Sequence, residues 1–584
     1  FASKETTLQK KLSTMNKEFN NNLFANSSSC SDVRGHLSGQ QLPTWVQGIL
    51  LYNGPSGDLY SNNAQDSFVS SSKKHWMDGL SMMSSFKIQE NGKFITFTKK
   101  NLRSDEYMRE HEHGSSAPHA SMKIENQPHI FNKSNDYQVS VYHSQSPLRR
   151  TTRRGERASS TSMRSFHRST SMNDFMMDQE PTDNCNSSFY QFGDLILATN
   201  ETSFERIVDP DSLATGDLID MSHLFKMKSV RPLKDHNGDF YNLAASIVTG
   251  NKYHFIKFTR PLPEINYNGD NFPTETKFVS TIPSRFPHHI GYFHSFGMTD
   301  NYLIFCEQPM AYDVNKLKHN KNQRSSSRDC LEWMAGERNH FYIVDKKTGR
   351  NIEINYVTDR SYFFFNFVNC YESRGHIVVD MLTYDGPEIM DSMWVEKLKS
   401  CPDFYANNSN SRLMRFVLPL HYMEQGIDLN FGQWNEATAI RNNNIINIRP
   451  KIITCETGME NPKINPFFNF RKYNFTYVVG WMHGLNPRNN FANSITKIDM
   501  ETGMTTVWKT GDKFEHPSEI VFLPNPSGSS EDDGVIISCV SNSGDRQGSY
   551  LVFLNARNMR EIARANFDEP IPFGSHTHFV QRYY

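Results

Sequence analysis

Eight cysteines, Cys30, Cys185, Cys306, Cys330, Cys370, Cys401, Cys455 and Cys539, are scattered along the chain without a Cys-x-x-Cys pair. A thiolate zinc site or a dithiol redox centre needs two sulfurs on one turn, so neither chemistry is indicated. The chain also lacks a G-x-S-x-G turn, an H-E-x-x-H helix and a Gly-rich phosphate loop. That removes the usual acyl-transfer, zinc-hydrolase and nucleotide signatures. Nothing supplies a flavin, haem or thiol route to redox chemistry. What remains are histidines and carboxylates. The triplet HTH puts His576 and His578 on one face of an extended segment, half of a zinc site. His223, His236, His288 and His289 lie in loop-like stretches, where a histidine is ordinarily a surface residue.

Such side chains must be positioned by elements, and the periodicity says which kind. FYIVDKKTGRNIEI (341–354) and SITKIDMETGMTTVWK (494–509) alternate apolar and polar residues and reverse at Thr-Gly, which predicts β-hairpins. YLIFCEQP, HIVVDMLTY, RLMRFVLPL, FTYVVGW, GVIISCVS and SYLVFLNARNMREIARANF continue the series. Helical periodicity is scarce and no βαβ rhythm emerges. The pattern predicts an all-β fold, either a propeller or a large barrel, with repeats too degenerate to count blades.

Of the 584 residues, 37% are hydrophobic and 12% aromatic, with 42 Phe and 24 Tyr, enough for a large packed core. A formal net charge of −1 gives no global attraction for nucleic acid. No run of about eighteen apolar residues occurs, so no transmembrane segment is expected. Residues 1–40 read as a polar N-terminal arm and 41–584 as one β unit, with a disordered insertion at about 140–180. Within it SPLRRTTRRGERASSTSMRSFHRSTSM (146–172) is rich in Arg and Ser. A solvated insertion is the plain reading, and a phosphorylatable or polyanion-binding segment the functional one. The chain opens at Phe1 without a signal-peptide pattern. This points to a trimmed or processed N-terminus and favours a secreted over a cytoplasmic location. Six N-x-S/T sequons (Asn26, Asn132, Asn186, Asn200, Asn407 and Asn474) are about what chance gives in so Asn- and Ser-rich a chain.

Longer phrases are more specific. LPTWVQGILLYNGPSG (42–57), HWMDGLSMMSSFKI (75–88), DNCNSSFYQFGDLILATNETSF (183–204), YFHSFGMTDNYLIFCEQP (292–309), HPSEIVFLPNPSGSSEDDGVIISCV (516–540) and IPFGSHTHFV (571–580) follow one another in order. Together they resemble the carotenoid cleavage oxygenases, the family that includes the retinoid isomerase of the retinal pigment epithelium. The resemblance runs from about residue 40 to the end, broken by the Arg/Ser insertion. It implies a seven-bladed β-propeller with a helical cap over one face and a tunnel for a carotenoid or apocarotenoid.

In that family four histidines hold Fe(II) on the propeller axis, and glutamates accept the spare ring N–H of three of them. Neutral imidazoles suit a ferrous ion and leave positions open for O₂, while the glutamates orient the rings. By resemblance, His294 in YFHSFG and His576 in GSHTHF are two of the ligands, although family members usually carry glycine where Thr577 stands. The three carboxylates match Glu201 in NETSF, Glu460 in MENPKIN and Glu519 in PSEIVF. The other two ligand positions do not match. RPLKDHNGDFYN (231–242) puts Arg231 where the family has a histidine, and NFVNCYE (366–372) puts Asn366 and Phe367 where it has two.

Two imidazoles hold ferrous iron poorly, and three buried glutamates without a metal need a cation. A guanidinium is permanently charged and forks onto carboxylates. We therefore expect Arg231 to point into the former iron site and pair with Glu460, leaving Glu201–His294 and Glu519–His576 as hydrogen-bonded pairs. Arg231, Asn366 and Phe367 then face a bound ligand. The implied function is a carotenoid- or apocarotenoid-binding protein that does not cleave, serving storage, transport or coloration without a metal cofactor. An active dioxygenase using Fe(II) on altered ligands is the alternative, and a ligand-free interaction scaffold the third reading. NKLKHNKNQRSSSRDCLEWM (315–334) is basic and polar where membrane-feeding relatives carry an apolar loop, leaving Phe286 as the candidate apolar tip. Membrane association is thus expected to be weak.

Overall fold

The computed structural model describes residues 28–56, 75–111, 182–248, 250–259, 272, 276–318, 326–400, 408–421, 424–434, 436–480, 492–512, 514–544 and 548–582. Residues 1–27, the Arg/Ser stretch 146–172 and part of the basic loop after Lys318 lie outside them. The chain is all-β, as its alternation predicts. Both Thr-Gly reversals are hairpins: Ser494–Asp499 pairs antiparallel with Thr505–Lys509, and the His340–Asp345 strand turns back through a Val344–Asn351 bridge. Gly503 makes the first turn possible, because it sits at φ +73° and a Cβ there would stand 2.2 Å from the Ile453 carbonyl.

Most of the sheets are antiparallel meanders whose first strand lies at one edge. Ser188–Phe192 begins a four-stranded sheet, Gly297–Met298 a six-stranded one, and Phe363–Ser373 and Met459–Lys463 four-stranded ones. Chain ends meet in a nine-stranded sheet that runs from Glu515–Pro524 to His576–Gln581. There the last strand, His576–Gln581, pairs antiparallel with Gly48–Ser56. The edge strands adjoin in turn: Gly297–Met298 lies beside Phe363–Ser373, then come Met459–Lys463, Glu515–Pro524, His576–Gln581 and Ser188–Phe192. Backbone edges that carry the candidate residues are thereby brought to one centre.

Cys30–Gly39 corrects the expected limit of the polar arm. This segment is a strand joining Phe94–Asn101 to Glu561–Phe567, so the packed unit begins before residue 40. Alternation explains it, since Val33, buried Gly35 and Leu37 face inward between exposed Arg34 and His36, and a single inward face suffices at a sheet junction. Phe286 corrects the expected apolar tip. It is 4% exposed, with the Arg285 guanidinium 4.1 Å above its ring. Loop positions with an aromatic flanked by Arg and Pro are read as protruding only until a neighbouring cation covers the ring.

Helices among the described residues are short: Asp105–His111, Val314–Lys318, Glu388–Ser392 and Val395–Ser400. Several of the short turns are tied together. His75 Nε2 lies 2.9 Å from the Met390 carbonyl, Arg328 Nη2 donates to Asp391 at 2.6 Å, and Ser327 Oγ donates to Asp78 at 3.1 Å. No helix among the described residues is long and apolar enough to cross a membrane. The seven described cysteines are free thiols.

Ring closure depends on two glycines. A Cβ on Gly54 would lie 2.2 Å from the Gly574 Cα, and one on Gly574 would lie 2.7 Å from the Asn53 carbonyl. Their contact lets the Ser575 N–H reach the Asn53 carbonyl at 2.7 Å, just before His576. Gly54→Ala is expected to destabilise the fold by roughly 1–3 kcal/mol, as overpacking against backbone does. A denaturant titration followed by tryptophan fluorescence checks this, and an unchanged midpoint would count against the closure argument.

Candidate functional site

Hydrogen bonds from backbone to side chain stitch the segments that carry the candidate residues. Ser229 Oγ donates to the His294 carbonyl at 2.7 Å and accepts the Arg231 N–H at 3.3 Å. Ser295 Oγ donates to the Phe365 carbonyl at 2.7 Å and accepts the Phe367 N–H at 3.0 Å. Arg231, His294 and Asn366 are therefore fixed relative to one another before any side-chain chemistry is considered.

His294 and His576 meet at the centre, with their Nε2 atoms 3.1 Å apart. His294 Nδ1 lies 2.9 Å from Glu201 Oε1, which also accepts the Tyr292 hydroxyl at 2.8 Å. The expected His294–Glu201 pair is present. On the other side Arg231 Nη2 contacts both Glu519 Oε1 and His576 Nδ1. Glu519 is fully buried, and its Oε2 accepts the Thr577 N–H at 2.7 Å and the Thr577 hydroxyl at 3.2 Å. Threonine in place of the usual glycine thus gives this carboxylate another donor.

Arg231 does turn inward, but it does not take the expected partner. It pairs with Glu519 rather than Glu460. The physical reason is that Glu460 already has neutral donors: Asn366 Nδ2 at 2.8 Å, the Tyr384 hydroxyl at 2.7 Å and the Asn461 N–H at 3.3 Å. Burial pushes the Glu460 carboxyl up, and these bonds offset only part of that. A site that tolerates a protonated carboxyl needs no cation. Asn366 and Phe367 also part company. Asn366 is buried against Glu460, whereas the Phe367 ring lies 5.6 Å edge-on to Phe364 within a neighbouring core cluster. Phe367 is a packing residue at this centre, because bulges on either side of it turn its side chain away.

A second cation was not anticipated. Lys463 Nζ lies 3.3 Å from Glu519 Oε1, the same oxygen that Arg231 holds. Burial alone would raise the Glu519 carboxyl, but Arg231, Lys463 and His576 together hold it well below the usual carboxylate range. Burial and then Arg231 bring Lys463 down to about 8 and His576 down to about 3. His576 is therefore neutral at physiological pH.

Its tautomer follows from chemistry. A guanidinium carries only N–H donors, so His576 Nδ1 must accept from Arg231. The ring proton is then on Nε2, directed at His294 Nε2, whose own proton on Nδ1 goes to Glu201. One chain of donors runs from Arg231 to Glu201. Two imidazole nitrogens 3.1 Å apart are spaced like neighbouring ligands of one ion, about 3 Å for bonds of about 2.1 Å at a right angle. Yet His576 offers its protonated nitrogen to that space, and the remaining places hold a guanidinium and a committed amide. The residues present do not fit a four-histidine ferrous centre.

Substitute ligands are not gathered here. His236 pairs with Asp300 at 3.2 Å, His289 with Glu332 at 3.2 Å, and His223 and His288 are exposed. His578 Nε2 is buried with no hydrogen-bond partner among the described residues, and burial lowers this histidine to about 4. It does not complete a three-donor zinc site with His576. Among the described residues the one cluster of three metal-type donors is His289, Asp313 and Glu332.

Edge strands converging on an imidazole–carboxylate centre define the carotenoid-oxygenase class of all-β protein. Comparison bears this out. The profile described as retinal pigment epithelial membrane protein matches residues 26–581, and the chain belongs to that family. It is 29% identical over 561 residues to a β,β-carotene 15,15'-dioxygenase of Gallus gallus, covering 94% of this chain and 95% of that one. A carotenoid isomerooxygenase of Galleria mellonella is 31% identical over 424 residues, 70% of this chain and 75% of that protein. Cobalt-substituted Synechocystis apocarotenoid oxygenase superposes with a TM-score of 0.67 at 18% identity, covering 97% of this chain and 99% of that one.

Because two cations share Glu519, removing either leaves the other. Arg231→Met and Lys463→Met are each expected to cost less than the roughly 3–5 kcal/mol of a wholly orphaned buried charge. The double variant should cost more than their sum, which a double-mutant cycle of denaturation free energies measures. The Glu519 contribution is present above its unfolded value of about 4.3 and is lost only as pH falls through the lower folded value. Acid unfolding of the double variant should accordingly lose that step, and simple additivity would contradict the shared-carboxylate geometry.

Proposed function

We propose that this protein binds a carotenoid or apocarotenoid and does not cleave it, on a seven-bladed propeller of the carotenoid-oxygenase type whose iron centre has been replaced by an ion pair. The blade count is supported by dividing the nine-stranded sheet at its Cys30–Gly39/Phe94–Asn101 seam, which with the five-, six- and four-stranded sheets gives seven edges at the centre. The tied turns around His75, Arg328 and Asp391 are the natural candidates for the cap. Storage, transport or coloration would follow from a polyene held among the packed rings of Tyr292, Phe363, Phe365 and Tyr384.

One observation carries the reading: Arg231 occupies the side of His576 that the family's glutamate uses, and so commits the metal-facing nitrogen to a proton. O₂ chemistry on an alkene needs an open position on a metal, and a two-imidazole remnant in this tautomer is a weak host. The oxygenase reading is favoured by the 3.1 Å spacing of the imidazole nitrogens. Protein from its natural source, analysed for metals and extracted with organic solvent, separates the two. The expected result is a stoichiometric polyene, substoichiometric iron, and β-carotene recovered intact after incubation with added Fe(II). Stoichiometric iron that is lost in His294→Ala, together with aldehyde products, would establish the oxygenase instead.

A further inference from the structure

Lys463 is the one nucleophilic side chain at the centre that the reading above leaves without a task. It extends from the edge strand Met459–Lys463 to Glu519, and a quarter of its side chain remains accessible. Its reach toward the axis is built in. A bulge between Glu460 and Lys463, with Asn461 at φ +53°, returns Lys463 to the face it would otherwise leave. As an ion-pair partner it is redundant, because Arg231 already occupies Glu519 Oε1 and two Thr577 donors occupy Oε2.

We propose that Lys463 captures the aldehyde end of an apocarotenoid as a Schiff base, with Glu519 as counter-ion; this deepens the polyene-binding reading and rests on it. The neutral amine adds to the carbonyl carbon, forming a C–N bond and a carbinolamine. Its hydroxyl then leaves as water with a proton from nitrogen, and the C=N bond replaces C=O. Nothing is oxidised or reduced, so no further reactant is needed. A lysine attacks only when unprotonated, and desolvation beside another cation is the general way to make it so. Here the second cation is Arg231, and with burial it brings Lys463 down to about 8. Once formed, a protonated imine would retain the 3.3 Å carboxylate that the ammonium has now. Arg231 then serves two ends: it neutralises Glu519 permanently, and it discourages the proton that would block Lys463.

The test uses the full-length protein with all-trans-retinal as the aldehyde probe and retinol as the non-reactive control. After cyanoborohydride reduction, peptide mass spectrometry should find the retinyl adduct on Lys463. Acidification before reduction should move the absorption band to longer wavelength, as protonation of an imine does. Lys463→Arg should abolish the adduct while retinol binding, read by fluorescence quenching, persists. Adducts confined to other lysines, or equal labelling in Lys463→Arg, would overturn the proposal while leaving polyene binding intact. If retinol, retinal and β-carotene all fail to bind wild-type protein, the binding reading itself falls, and the Schiff base with it. Should Lys463→Arg fold poorly, the site map on wild-type protein decides alone.

Discussion

The contact between Arg231, Glu519 and His576 governs the centre of this molecule. Glu519 is fully buried and ionised, and an ion of that kind is tolerable only when a cation and hydrogen bonds are built around it. A permanent charge on Arg231 fills that need at any pH the protein meets, which a metal or a histidine does not. The same guanidinium sets the His576 tautomer, and through it the orientation of His294, whose Nδ1 proton Glu201 accepts. One side chain between two short strands therefore organises a whole polar network, and none of these five residues has a buried polar atom left without a hydrogen-bond partner.

Three carboxylates at the centre are satisfied in three ways. Glu201 keeps an imidazole and a tyrosine, Glu460 takes an amide and a tyrosine, and Glu519 takes two cations and a threonine. The first two follow a pattern used elsewhere in the core. Asp380 is held by Arg415 and Tyr473, Glu205 by Lys228 and Tyr190, and Glu307 by Arg285 and Tyr253. Buried carboxylates in this protein are thus routinely locked by a tyrosine hydroxyl, with or without a cation. The polar centre follows the same structural idiom, with Glu201 and Glu460 each accepting from a tyrosine hydroxyl.

Much of this was legible in the sequence, and the boundary between what was and what was not is instructive. Period-2 alternation and Thr-Gly reversals predict the strands and hairpins, because both report on backbone geometry that local residues control. Arg231 at a ligand position, and its inward direction, follow from the phrase around it and from the need to neutralise buried glutamates. Its partner does not follow, since choosing between Glu460 and Glu519 requires knowing that Asn366 and Tyr384 already serve Glu460. Lys463 is missed and Phe367 misplaced for a single reason. Both lie beside β-bulges, and a bulge shifts the facing of every residue beyond it without leaving a mark in the alternation. Glu519 itself sits at a third bulge, between Pro517 and Ile520.

Bulges at three successive edge strands are more than an obstacle to reading. A regular strand places alternate side chains on opposite faces, so its edge can present only every second residue to the axis. An extra residue lets Glu460 and Lys463, three apart, both reach the centre. Such a scaffold can change what it displays at the axis by altering single residues, leaving the sheets that carry them untouched. A guanidinium, an amide and an amine around the imidazole pair are what these strands display. The centre they form works by placing charge and protons through side chains.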